Sequence, residues 1–115
     1  MRKLKRSECA ILPLVLKRRW YDMIDQGAKR EEYRTSKNVM RMIQRWWGES
    51  KIEGKVPVVE FRRGYAKDAP RMTWHIWSVW HRMAGGYNDA QMGEPDMTRY
   101  ALTLGQRVTL TEGGK

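Results

Sequence analysis

The period of the apolar positions changes several times along the chain, and each change marks an element. From Cys9 to Leu16 the chain reads CAILPLVL, almost wholly apolar, which predicts a buried strand over about 10–16. Pro13 has no N–H to give a ladder, so this strand is expected at a sheet edge or bulged. Between Lys17 and Gln26 the spacing turns helical, with Trp20, Met23 and Ile24 on one face read as core. Ser36 is a candidate cap for a second helix to about Trp47, whose apolar stripe is Val39, Ile43 and Trp46. Gly48 to Lys55 is polar and reads as a linker. Val56 to Arg63 reads as a strand, and Gly64 to Pro70 as a turn. Met72 to His81 carries the strongest strand pattern. Its alternation puts Trp74, Ile76, Ser78 and Trp80 on one side and Thr73, His75, Trp77, Val79 and His81 on the other. Residues 84–97 read as a long loop, and Arg99 to Leu110 as the last strand or strands, with Gly105 at a turn or bulge. Together these predict one domain over 9–111, a basic arm over 1–8 and a flexible tail over 112–115. Short strands with two early helices predict a small α+β barrel, since closure removes exposed edges.

One stretch breaks the apolar pattern in a directed way. The first helix runs into Gly27, which suits the left-handed position just past a helix end. Arg30 to Arg34 then alternates as a strand does, setting Glu32 and Arg34 on one face, roughly 7 Å apart. Lys29 stands at the mouth of that strand, where a loop can turn its ammonium to the same face. On pattern alone this is a solvated charged strand or the rim of a site.

Charge narrows the choice of partner. The chain has 23 basic and 13 acidic residues, a net charge of +10. Residues 1–63 hold 17 Lys or Arg against 8 Asp or Glu, and residues 64–115 hold 6 against 5. A basic half beside a neutral half points to a polyanion-facing surface. On the second helix Lys37, Arg41 and Arg45 recur every four residues, a stripe of like charges that a phosphate backbone relieves. Six tryptophans against one phenylalanine exceed what a core of this size needs. Trp46 and Trp47 are adjacent helical positions, so one of them is expected at the surface beside Arg41 and Arg45, an arrangement suited to stacking unpaired bases, and Trp46 is taken with Lys37, Arg41 and Arg45 as a candidate nucleic-acid contact. No long apolar run or lipidation signal suggests a membrane. The single Cys9 excludes an internal disulfide and suits a cytoplasmic location; it reads as a small buried residue. Two histidines six apart and one cysteine make no metal cluster, no Gly-rich phosphate loop is present, and no serine is placed for a triad. No cofactor is expected.

Gly27, Lys29, Glu32 and Arg34 match the G-x-K-x-x-E-x-R signature, and in that context the chain resembles the ASCH domain family, a branch of the PUA-like β-barrels, in particular small phage, prophage or bacterial members. Leu12 to Leu14, Trp20 to Ile24, Val58 to Phe61 and Tyr100 to Gly105 stand where such domains place their strands and helix. The resemblance implies a PUA-like barrel with two helices and a cleft lined by the signature. It implies an RNA-binding protein, RNA in preference to DNA, taking a base or nucleotide at Gly27, Lys29, Glu32 and Arg34. The alternative it offers is a small hydrolase, a ribonuclease or an amidohydrolase of N4-acetylcytidine, with Lys29 and Glu32 as catalytic candidates. In the amidohydrolase branch a threonine follows the signature lysine by three residues; Glu32 stands there in this chain.

Overall fold

The computed structural model describes residues 1–83 and 98–112. The loop expected over 84–97 and the tail beyond Glu112 lie outside the described residues. Among the described residues nine elements follow in order: β1 (Arg2–Lys5), the 3-10 turn η1 (Arg6–Glu8), β2 (Cys9–Leu16), α1 (Arg18–Asp25), β3 (Glu31–Arg34), α2 (Lys37–Glu53), β4 (Val56–Arg63), β5 (Arg71–Met83) and β6 (Thr98–Thr111). The class is α+β. All six strands belong to one mixed sheet of order β1-β6-β5-β4-β2, with β3 paired to the half of β6 that β1 leaves uncovered.

This sheet is open, and no ladder joins β2 to β1 or β3. Yet β1 and β2 are its two ends and are separated in sequence only by η1, so the sheet must curl until those ends meet at one corner. Farther along, Arg34 Nη2 on β3 donates to the Val15 carbonyl of β2 at 3.0 Å. A side chain thus bridges the seam where a closed barrel has a ladder. As Pro13 implied, β2 is an edge strand, paired in parallel to β4 alone among the described residues.

Both helices cover one face of the sheet. There Leu12, Leu14 and Leu16 pack with Tyr21 and Ile24 of α1, Ile43 and Trp46 of α2, and Val59, Phe61, Trp74, Ile76, Leu102 and Leu104. A smaller cluster of Leu4, Cys9, Val58 and Val108 fills the curl on the other face. Burial first, and then the charge of Glu8, raises the Cys9 thiol above its ordinary pKa, as befits a packing residue.

Four expectations need correction. The basic arm is in part a strand, because Arg2–Lys5 pairs in parallel with Val108 to Thr111 and Leu4 is buried. The linker over 48–55 is helical through Glu53. Ser50 is buried and its hydroxyl donates to the Trp47 carbonyl at 2.7 Å, while Gly54, at φ 64°, ends the helix in the left-handed region. Trp20, expected in the core, is 36% exposed, and Tyr21 takes the buried place above Ile24. Finally, β5 does not keep one alternation. Its register with β6 slips between Trp74 and Ile76 and again between Ile76 and Ser78, so that Trp77 is an extra residue on β5 and the Gly105–Gln106 segment carries one on β6. Trp74 and Ile76 therefore face the core, whereas Trp77 and Trp80 are exposed.

Candidate functional site

The chain turn after α1 launches the site. Gln26 closes the helix, Gly27 takes φ 80°, and the N–H groups of Ala28 and Lys29 both donate to the Met23 carbonyl, at 2.9 and 3.1 Å. The chain is thereby reversed into β3, whose pairing begins with Leu104 N–H to the Arg30 carbonyl and continues as Glu32 opposite Leu102 and Arg34 opposite Tyr100.

Glu32 is the centre of the arrangement. Its side chain is 9% exposed and lies between two cations, Lys29 Nζ at 2.5 Å from Oε1 and Arg34 Nη2 at 2.9 Å from Oε2. Both are charge-assisted hydrogen bonds. Lys29 is held a second time by the Glu31 carbonyl, and Arg34 by the Val15 carbonyl across the seam. Backbone on two strands therefore fixes the cation, anion and cation that the sequence pattern suggested. Arg34 Nε is buried and finds no acceptor among the described residues. An unmet buried donor is costly, which makes it notable beside a cavity.

That cavity has a volume of about 500 Å³ and is lined by Leu16, Trp20, Glu32, Arg34, Val39 and Tyr65 among others. Lys29 Nζ lies 5.7 Å from the ring centres of both Trp20 and Tyr33, and the Arg19 guanidinium lies 4.8 Å over Trp20. The Tyr33 hydroxyl is tethered to Glu31 at 2.7 Å. The cavity thus combines acceptor and donor groups at its base with ring surfaces beside them.

Of the remaining predicted site residues, Lys37, Arg41 and Arg45 are exposed along α2, and Arg45 pairs with Glu49 at 3.4 Å. They lie outside the cavity. Trp46, assigned to the binding surface, is buried, its indole N–H donating to the Ala10 carbonyl at 2.8 Å. The half-buried member of the pair is Trp47, with Lys51 Nζ 4.4 Å from its ring centre. Sequence reasoning missed Trp20 and Tyr65 as cavity residues. For Trp20 a signal existed, since Tyr21 and Ile24 form an i, i+3 pair as good as Trp20 and Ile24 at i, i+4.

Among the described residues no three metal-ligating side chains come together, and no helix is long and apolar enough to cross a membrane. Comparison with protein-family models, with curated proteins and with solved structures finds no match.

Proposed function

We propose that this protein is a nucleic-acid-binding module of the ASCH type that takes a base or nucleotide of RNA, or of another single strand, in the cavity lined by Glu32 and Arg34, with Lys29 behind Glu32. On this reading the curled sheet with its bridged seam is a variant of the PUA-like barrel. The observation that carries the proposal is the fixed Lys29–Glu32–Arg34 chain beside a cavity flanked by Trp20 and Tyr33. An ionised carboxylate accepts from ring or amino N–H groups, and a guanidinium donates to ring nitrogen, carbonyl or phosphate oxygen. Arg34 still has donors to give, whereas two of the three Lys29 protons are already engaged. A lysine so committed suits holding better than proton transfer.

The test is binding of labelled single-stranded RNA followed by anisotropy across a salt series. Affinity is expected to fall at roughly −0.7 in log K per log salt for each phosphate neutralised, and replacement of Lys37, Arg41 and Arg45 together is expected to flatten that slope. Arg34→Lys, which keeps the charge and loses the planar fork, is expected to weaken binding by about 1–3 kcal/mol. Incubation with RNA and with N4-acetylcytidine is expected to leave both intact. Turnover that vanishes in both Lys29→Ala and Lys29→Arg would replace this reading with the hydrolase.

A further inference from the structure

The register slip in β5 has an effect at the surface. Beyond Trp77, the side chains of β5 that point away from the helices are Ser78 and Trp80, where an unbroken alternation would have put Trp80 in the core. Trp80 stands opposite Ala101 on β6, and Ala101 stands opposite Tyr33 on β3. Two strand spacings separate Tyr33 from Trp80, roughly 10 Å between Cα atoms. Ala101 between them is fully buried. Trp77 and Trp80 are 73% and 57% exposed. Indoles this open, on a sheet face that no described element covers, call for a partner to cover them.

Charge and continuity say which partner. Tyr33 ends the row on the side of the cavity, and Lys29 Nζ lies equally close to the Tyr33 and Trp20 rings. The Arg19 guanidinium also lies over the Trp20 ring. Rings and cations therefore alternate from Arg19 and Trp20 through Lys29 to Tyr33, and the ring row continues to Trp80. The Glu31 carboxylate on this face is taken up by the Tyr33 and Thr103 hydroxyls. Ring faces interleaved with cations, on a chain of net charge +10, match a flexible polyanion bearing planar groups.

We infer that Tyr33, Trp80 and Trp77 form a stacking track for the nucleotides next to the one in the cavity, so that the protein grips a run of single strand rather than an isolated nucleotide. The inference rests on the proposed binding at Lys29, Glu32 and Arg34, and adds to it a path on the far side of β3. It makes binding dependent on strand length and tolerant of sequence along the track, because every base has a face to stack.

The probes are a uridine mononucleotide and uridine oligonucleotides of increasing length, with wild type, Trp80→Ala, Trp77→Ala and Trp20→Ala. Both track tryptophans are exposed, so their variants are expected to keep the wild-type melting temperature. Wild type is expected to bind the oligonucleotides more tightly than the mononucleotide. Trp80→Ala is expected to weaken oligonucleotide binding roughly five- to a hundred-fold while leaving mononucleotide binding unchanged. Trp80→Phe is expected to retain most of the affinity, and bound oligonucleotide to quench a fraction of the tryptophan fluorescence that Trp80→Phe removes. Mononucleotide binding without any gain with length, or oligonucleotide affinity unchanged in both alanine variants, overturns the track and leaves the cavity reading standing. Binding of neither probe overturns both. A concentration-dependent dimer that Trp80→Ala dissociates would assign the face to a second copy of the chain and overturn the track as well.

Discussion

Removing the Glu32 carboxylate should destabilise the fold by stranding the two cations it separates. In Glu32→Ala the ammonium of Lys29 and the guanidinium of Arg34 are left facing each other, with side chains only 15% and 21% exposed. Breaking a buried ion pair from one side costs about 3–5 kcal/mol, because the remaining charge stays desolvated. Here two cations remain and both reach some solvent, which places the expected loss near the lower limit, about 3 kcal/mol. Against a total stability of about 5–15 kcal/mol this leaves a folded but weakened protein. With a urea slope of about 2 kcal/mol/M the unfolding midpoint falls by roughly 1.5 M at unchanged slope. The companion variant is Lys29→Met. Combined with Glu32→Ala it removes one of the two stranded charges, so the double variant should be more stable than the sum of the single losses by more than about 1 kcal/mol. Full urea curves for the wild type, the two single variants and the double variant supply the cycle. A Glu32→Ala midpoint within experimental error of wild type, or a strictly additive cycle, would refute the claim that this carboxylate is an internal counter-ion.

Two further outcomes test the rest of the fold. Trp46→Ala should cost about 3–5 kcal/mol, as for any large buried ring, and Trp46→Phe distinctly less; RNA affinity of the folded Trp46→Phe protein should be unchanged, and a loss there would return Trp46 to the binding surface. Burial above all, and then Arg2 and Lys51, lower the pKa of His75 below its usual 6.5, so the unfolded chain binds the proton more readily. Its contribution is therefore complete above pH 6.5 and is lost as pH falls toward the folded-state value, and urea midpoints at pH 7.5 and pH 5 in wild type and His75→Gln should show that part of the drop disappear with the imidazole.

Much of the fold was legible because it was locally encoded. Gly27 declared the end of α1, Pro13 declared an edge, and the apolar run of β2 needed no partner to be recognised. The features that were not legible depend on partners distant in sequence. The charged residues 2–5 look like a frayed end until β6, about a hundred residues later, supplies their ladder. The register slip at Trp77 is hidden inside an unbroken alternation, because a bulge is decided by the strand opposite, and only Gly105 hinted at it. Helix α2 passes Gly48 and Ser50 because tertiary packing outweighs propensity. At the site, spacing placed Glu32 and Arg34 together, but the Val15 carbonyl that holds Arg34 belongs to a strand no periodicity connects with β3.

The pairing of β1 with β6 also determines how the molecule bears load. The two strands run in the same direction, with Arg2 beside Val108 and Lys5 beside Thr111. Tension entering through Arg2 and leaving through Thr111 pulls them past each other along their length. The bonds of that ladder then share the load in shear instead of opening one after another like a zip. Unfolding by force along that line meets its resistance at once, at the ladder between β1 and β6, before the strain reaches the helices or the cavity.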